Sequence, residues 1–250
     1  MINNLFTCPV YESELNLNAK SISTQCLHMK NKSKGVLKSN ITGWQSPFIG
    51  DPFNIKDDII KHVNIFNNTL KITKEFSMSM WVNINSYKDF NIEHTHPGAI
   101  LSGVYYIQTE SNSGDIVFIH PAKDFLIQDW DNCKWQEYNQ HNSSTWRFTP
   151  SVNKLFLFPS WLKHYVKPNL NNEERIIGSL EFRTSLEMIA CIDNVFNRPH
   201  KIIRFANTLE YTDVGYVRGV RSKLIHEINQ ELFDSINMKI LRCFYPEAEY

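Results

Sequence analysis

The chain is 250 residues long, enough to bury a sizeable core, and all-β folds of this length are often single units. Its 26 Lys and Arg balance 26 Asp and Glu, and no stretch of about 18 apolar residues occurs, which argues against nucleic-acid and membrane partners. The five cysteines (Cys8, Cys26, Cys133, Cys191, Cys243) are odd in number and never spaced C-x-x-C, so neither a disulfide framework nor a zinc-thiolate site is expected, and a soluble protein of a reducing cytoplasm is.

In chain order, Leu5 to Tyr11 reads as an opening strand and turn. Residues 57–74 place Ile59, Val63, Phe66 and Leu70 at helical spacing behind Asp57 and Asp58, which favour a first helical turn. From Phe76 the texture becomes β-rich. Phe76 to Ile84 alternates, Ile100 to Ile107 is dense in β-formers, and Asp115 to Ile119 follows a Gly turn. Lys154 to Phe158 and Arg175 to Phe182 complete a set of short strands separated by Gly, Pro and Asn, as in an antiparallel sandwich or barrel. Between residues 120 and 150, Trp130, Trp135, Tyr138, Trp146 and Phe148 sit among polar residues. They suit either a lid stacking on substrate or an insertion covering a sheet edge. Beyond Arg183 the pattern turns helical, with Val220, Leu224, Ile228, Leu232 and Ile236 on one stripe. The expected organisation is a β domain over 1–183 and a helical extension over 184–250, which could carry a homodimer interface.

The segment His94-Thr95-His96-Pro97-Gly98 carries the chemistry. Two imidazoles at i and i+2 of a strand share a face, roughly 6.5–7 Å apart along the backbone, within reach of one metal ion. A distal His closes Phe158-Pro159-Ser160-Trp161-Leu162-Lys163-His164, and Arg175 follows eleven residues later. His94, His96 and His164 therefore form a candidate facial ligand set that leaves the opposite positions open. Arg175, opening an apolar strand, needs an anion if it points inward, and its planar fork suits a carboxylate.

Taken with Ser39 to Ser46, Trp81-Val82-Asn83 and Leu101-Ser102-Gly103-Val104-Tyr105-Tyr106, these motifs resemble the 2-oxoglutarate/Fe(II)-dependent oxygenases of marine bacteria and their phages. The resemblance runs from about residue 5 to residue 183. It implies a mainly β fold, a double-stranded β-helix (jelly roll, cupin-like) with N-terminal helices packed on one sheet. It also implies Fe(II), 2-oxoglutarate as co-substrate and O₂. The reaction implied is hydroxylation of an unidentified small molecule or protein side chain, with 2-oxoglutarate decarboxylated to succinate. The location implied is the cytoplasm, the host's if the gene is a phage's. Tyr105 and Arg175 match the pair that holds the distal carboxylate of 2-oxoglutarate, with Asn83 a further candidate contact. Trp44 reads first as a core residue, with the substrate pocket as its alternative, and Trp130 and Trp135 are candidates for that pocket.

One residue departs from the pattern. The usual first motif ends in Asp or Glu, and here that position is His96. A literal three-His site is of the kind found in cupin dioxygenases that act without 2-oxoglutarate. A carboxylate from another strand, such as Asp115, could instead complete the set. A non-catalytic jelly-roll binding or assembly module is the remaining alternative.

Overall fold

The computed structural model describes residues 3–36, 38–72, 75–130 and 133–184. The described residues up to Thr184 belong to one compact unit; the predicted helical extension, with its apolar stripe, lies from Ser185 on outside the described residues.

The chain opens with β1 (Tyr11–Glu14) and α1 (Ala19–Lys32), then β2 (Asn40–Ile41), β3 (Trp44–Gln45) and α2 (Lys56–Leu70). The strands β4 (Ser77–Asn85), β5 (Phe90–His94), β6 (Leu101–Gln108) and β7 (Ile116–Ile119) follow. Next come α3 (Lys123–Trp130), β8 (Thr145–Phe148), β9 (Lys154–Pro159), β10 (His164–Val166) and β11 (Arg175–Arg183). Two antiparallel sheets result, ordered β1-β9-β6-β11-β4-β3 and β2-β5-β10-β7-β8. This is the expected jelly roll.

Both faces of the larger sheet are buried. Its outer face, through Met80, Val82, Ile84, Leu101, Tyr105, Ile107, Leu157, Leu180 and Phe182, packs on Ile22 and Cys26 of α1 and on Ile59, Val63 and Phe66 of α2. Fully burying side chains such as Ile59 and Val63 stabilises by about 1.5–3 kcal/mol each, which is what holds the two helices on the sheet. The opposite face meets the smaller sheet across a second cluster: Val104, Tyr106, Ile116, Phe118, Phe156, Phe158, Leu162, Val166 and Ile177. Because successive strand residues alternate faces, Arg175, Ile177, Ser179 and Glu181 of β11 all point between the sheets.

Helix α2 falls within the predicted 57–74 and ends at Leu70, where Lys71 turns left-handed (φ 56). Helix α1 carries no comparable stripe. Asn18 caps it by accepting a hydrogen bond from the Ser21 N–H at 3.1 Å. In the 120–150 segment β8 pairs along β7 and closes the edge of the smaller sheet. No helix among the described residues is long and apolar enough to cross a membrane.

Candidate metal centre

Strand pairing brings the distal histidine to the first motif. His164 of β10 is the direct antiparallel partner of His94 at the end of β5. His96 lies just beyond β5 rather than within it, and its N–H donates to the Ser160 carbonyl at 3.0 Å. Pro97 and Gly98 (φ 82) form the centre of a turn closed by the Ala99 N–H on the His96 carbonyl at 3.2 Å, which turns the chain away from the site. The three rings converge: centroids are 4.4 Å apart for His94–His164, 5.0 Å for His94–His96 and 5.2 Å for His96–His164. One ligand atom from each lies within 4.8 Å of the other two.

Hydrogen bonds fix the orientation of every ring. Nδ1 of His94 donates to the Ile92 carbonyl (2.7 Å), Nδ1 of His164 to the Leu162 carbonyl (2.9 Å) and Nδ1 of His96 to Glu181 Oε1 (3.0 Å). With each Nδ1 carrying its proton, Nε2 is left as the free lone pair on all three. Burial, reinforced by the neighbouring His96, pushes the His94 pKa down to about 4; burial, with His94 and His96 beside it, pushes His164 well below its ordinary value. Both rings are therefore neutral, the form that binds a metal. Burial pushes the Glu181 carboxyl up, but the hydrogen bonds from His96 and Arg183 and the Arg183 charge outweigh it and hold the group below its ordinary value. The donor set fits a first-row divalent ion for which imidazole is a good ligand, iron included.

Arg175 is completely buried at the other end of the inward face of β11. Its Nη1 donates to the carbonyls of Ser113 and Lys167, the latter at 3.0 Å. Its Nε and Nη2 are buried with no hydrogen-bond partner among the described residues, and neither is the hydroxyl of Tyr106 partnered. Tyr106 sits opposite Ile177 on the same inward face and within electrostatic range of Arg175. Tyr105, the residue expected beside Arg175, points the other way. Its ring is in the cluster between sheet and helices, and its hydroxyl donates to Asn153 Oδ1 at 2.7 Å. Asn83 faces inward, its Nδ2 donating to Ser179 Oγ at 2.9 Å while Oδ1 has no partner among the described residues.

Residues 79–181 match the family model described as "Putative 2OG-Fe(II) oxygenase". The match covers 103 of the chain's 250 residues and takes in all three histidines and Arg175. That match indicates a non-haem Fe(II)- and 2-oxoglutarate-dependent oxygenase, and the imidazole triad could hold the metal. No curated protein sequence matches the chain. Among solved structures, it resembles a prolyl-4-hydroxylase of Pseudomonas putida at 14% identity and a TM-score of 0.52, over 72% of this chain and 94% of that one. It also resembles HygX of Streptomyces hygroscopicus, determined with nickel and 2-oxoglutarate bound, at 6% identity and a TM-score of 0.50, over 72% of this chain and 84% of that one. At such identities these likenesses speak for the fold alone.

The remaining candidates find other partners. Asp115 is no ligand: its carboxylate accepts from Thr149 Oγ1 and Lys167 Nζ, both at 3.1 Å, and the carboxylate at the centre is Glu181, bound to His96. Trp44 pairs with Ile84 on the helix-facing side of the larger sheet, and its indole N–H donates to the Ser33 carbonyl at 3.0 Å. Trp130 and Trp135 are in ring contact with each other, centroids 5.7 Å apart, and Trp135 with Tyr138 at 5.8 Å. Neither reaches the hollow of about 620 Å³ that opens beside His96, which is walled by Leu70, Ile72, Pro97, Pro159 and Trp161. Glu181 was discoverable in the sequence: it is six residues beyond Arg175 on one strand, hence on the same face.

Proposed function

We propose that the enzyme hydroxylates its substrate, with decarboxylation of 2-oxoglutarate to succinate. Iron would be held by Nε2 of His94, His96 and His164, and the distal carboxylate of 2-oxoglutarate by Arg175 and Tyr106. When bound, the iron and 2-oxoglutarate together supply the oxidising power for breaking a substrate C–H bond. The protein's own part is positional. The three Nδ1 hydrogen bonds aim the imidazoles, the apolar cluster around Phe118, Phe158 and Ile177 keeps water out, and Arg175 fixes the direction in which a dicarboxylate lies.

The observation that carries this reading is the half-used guanidinium of Arg175. A buried cation with two unpaired N–H groups costs several kcal/mol unless an anion joins it, and a carboxylate accepts two parallel bonds from that edge. A three-imidazole site acting without 2-oxoglutarate would leave those groups unexplained. For the substrate, the described lining of the hollow beside His96 contains no Asp, Glu, Lys or Arg, which favours an uncharged, largely apolar group in that hollow.

Anaerobic titration of the Fe(II) protein with 2-oxoglutarate tests the reading. A weak visible charge-transfer band that saturates in the wild type, and needs far more 2-oxoglutarate in Arg175→Met, supports it. Iron binding with no band at any 2-oxoglutarate concentration would favour direct three-imidazole chemistry, and no iron affinity would favour a binding module.

A further inference from the structure

The three imidazoles have similar hydrogen bonds but unequal partners. His94 and His164 each donate from Nδ1 to a backbone carbonyl two residues earlier, a neutral acceptor that orients the ring and does little else. His96 alone donates to a carboxylate, Glu181 Oε1, at 3.0 Å. Glu181 is buried, and its second oxygen accepts from Arg183 Nη2 at 2.6 Å, so the plane of the carboxyl is held from both sides. His96 is at the position where a directly coordinating Asp or Glu was expected, leaving three neutral donors where two neutral donors and one anion would stand.

We propose that Glu181 supplies that missing negative charge through His96, as a positioning residue one bond removed from the metal. The inference rests on the metal reading above. A carboxylate on the Nδ1 proton draws it away from the ring and raises the electron density at Nε2, which strengthens that ligand more than a carbonyl does. Because the pair is shielded from water, its charge is felt at the metal with little screening. The site then presents two imidazoles held by carbonyls and one held by an anion, and the ligand nearest in sequence to Pro97 becomes the strongest donor.

Glu181→Gln in the full chain separates this role from a merely structural one. The amide is nearly isosteric and its oxygen can still accept the Nδ1 hydrogen bond, so the orientation of His96 is kept while the charge, and with it the bond from Arg183 Nη2, is lost. Fe(II) affinity, read by anaerobic competition with a chromophoric chelator, should fall by about 10- to 100-fold, the usual cost of altering such an outer partner. The Fe(III)/Fe(II) potential should rise, because the more highly charged ion loses more from removal of a nearby anion. An unchanged potential would overturn the proposal even if affinity fell, since a packing role moves affinity alone. In a His96→Asp background, where the anion sits on the metal directly, Glu181→Gln should cost nothing or improve binding by relieving repulsion between two carboxylates. An equal loss in both backgrounds would overturn the proposal. A wild-type protein with no iron affinity would instead sink the metal reading itself, whereas wild-type binding left intact in Glu181→Gln sinks only this inference.

Discussion

His94 and His164 are direct cross-strand partners of β5 and β10, with ring centroids 4.4 Å apart and each Nδ1 tied to its own backbone. This pairing places residues seventy positions apart in sequence in contact, and it does so through backbone hydrogen bonds that do not involve the imidazoles. Replacing either ring by Ala should therefore abolish stoichiometric Fe(II) binding while leaving the sheet intact. Metal analysis after anaerobic loading, alongside far-ultraviolet circular dichroism, checks both halves; iron retained at full stoichiometry in either variant would remove that residue from the ligand set.

The same burial predicts an acid-labile apo fold. His94 has a folded pKa of about 4, below its ordinary 6.5, with His164 shifted in the same direction. The unfolded chain thus binds more protons than the native one across that window, so stability rises with pH there. Stability should be complete above about pH 6.5 and be lost progressively as pH falls toward 4. Thermal melts of the metal-free protein at a series of pH values should show this, and His94→Ala should flatten the slope. Bound iron should oppose the loss, because the metal competes with protons for the same lone pairs.

Two adjacent tyrosines give opposite predictions. Tyr106→Phe should weaken 2-oxoglutarate binding by about tenfold, the value of one hydrogen bond to a charged group, with little change in stability. Tyr105→Phe should leave 2-oxoglutarate binding unchanged and cost about 1 kcal/mol of stability by removing the bond to Asn153. Titration of the charge-transfer band and chemical denaturation distinguish the two, and a reversed pattern would restore Tyr105 to the barrel interior.

These residues also mark how far the sequence could be read. The histidine motifs were legible because metal ligation demands particular residue types at particular spacings, and strand pairing delivered them. Tyr105 and Tyr106 were not separable, since β6 is buried on both faces and shows no polar alternation from which to assign a side. Trp44 could not be settled between core and pocket for a related reason: its two-residue strand is too short to reveal a period. Helix α1 escaped notice because only Ala19, Ile22, Ser23 and Cys26 are buried, a narrow stripe half made of small or polar residues. The aromatic segment around Trp130 offered both of its readings equally, and the strand pairing of β8 favours the edge-covering one.

The seat of Arg175 makes the last prediction. Gly114 has a φ of 88°, a conformation that side chains rarely adopt, and a Cβ built there would lie 2.8 Å from Arg175 Nη1 and 2.7 Å from the Pro168 carbonyl, with the Lys167 carbonyl nearer still. Backbone strain of this kind costs on the order of 1–3 kcal/mol. The crowded carbonyls belong to rigid backbone, and that of Lys167 is also an acceptor for Arg175, so the guanidinium cannot stay where it is. Gly114→Ala should therefore lower the melting temperature and also raise the 2-oxoglutarate needed to saturate the charge-transfer band. Iron affinity should be spared, because none of the hydrogen bonds that orient the three imidazoles involves the 113–115 turn. A variant that loses stability but binds 2-oxoglutarate as tightly as the wild type would show that the placement of Arg175 Nη1 does not govern that carboxylate.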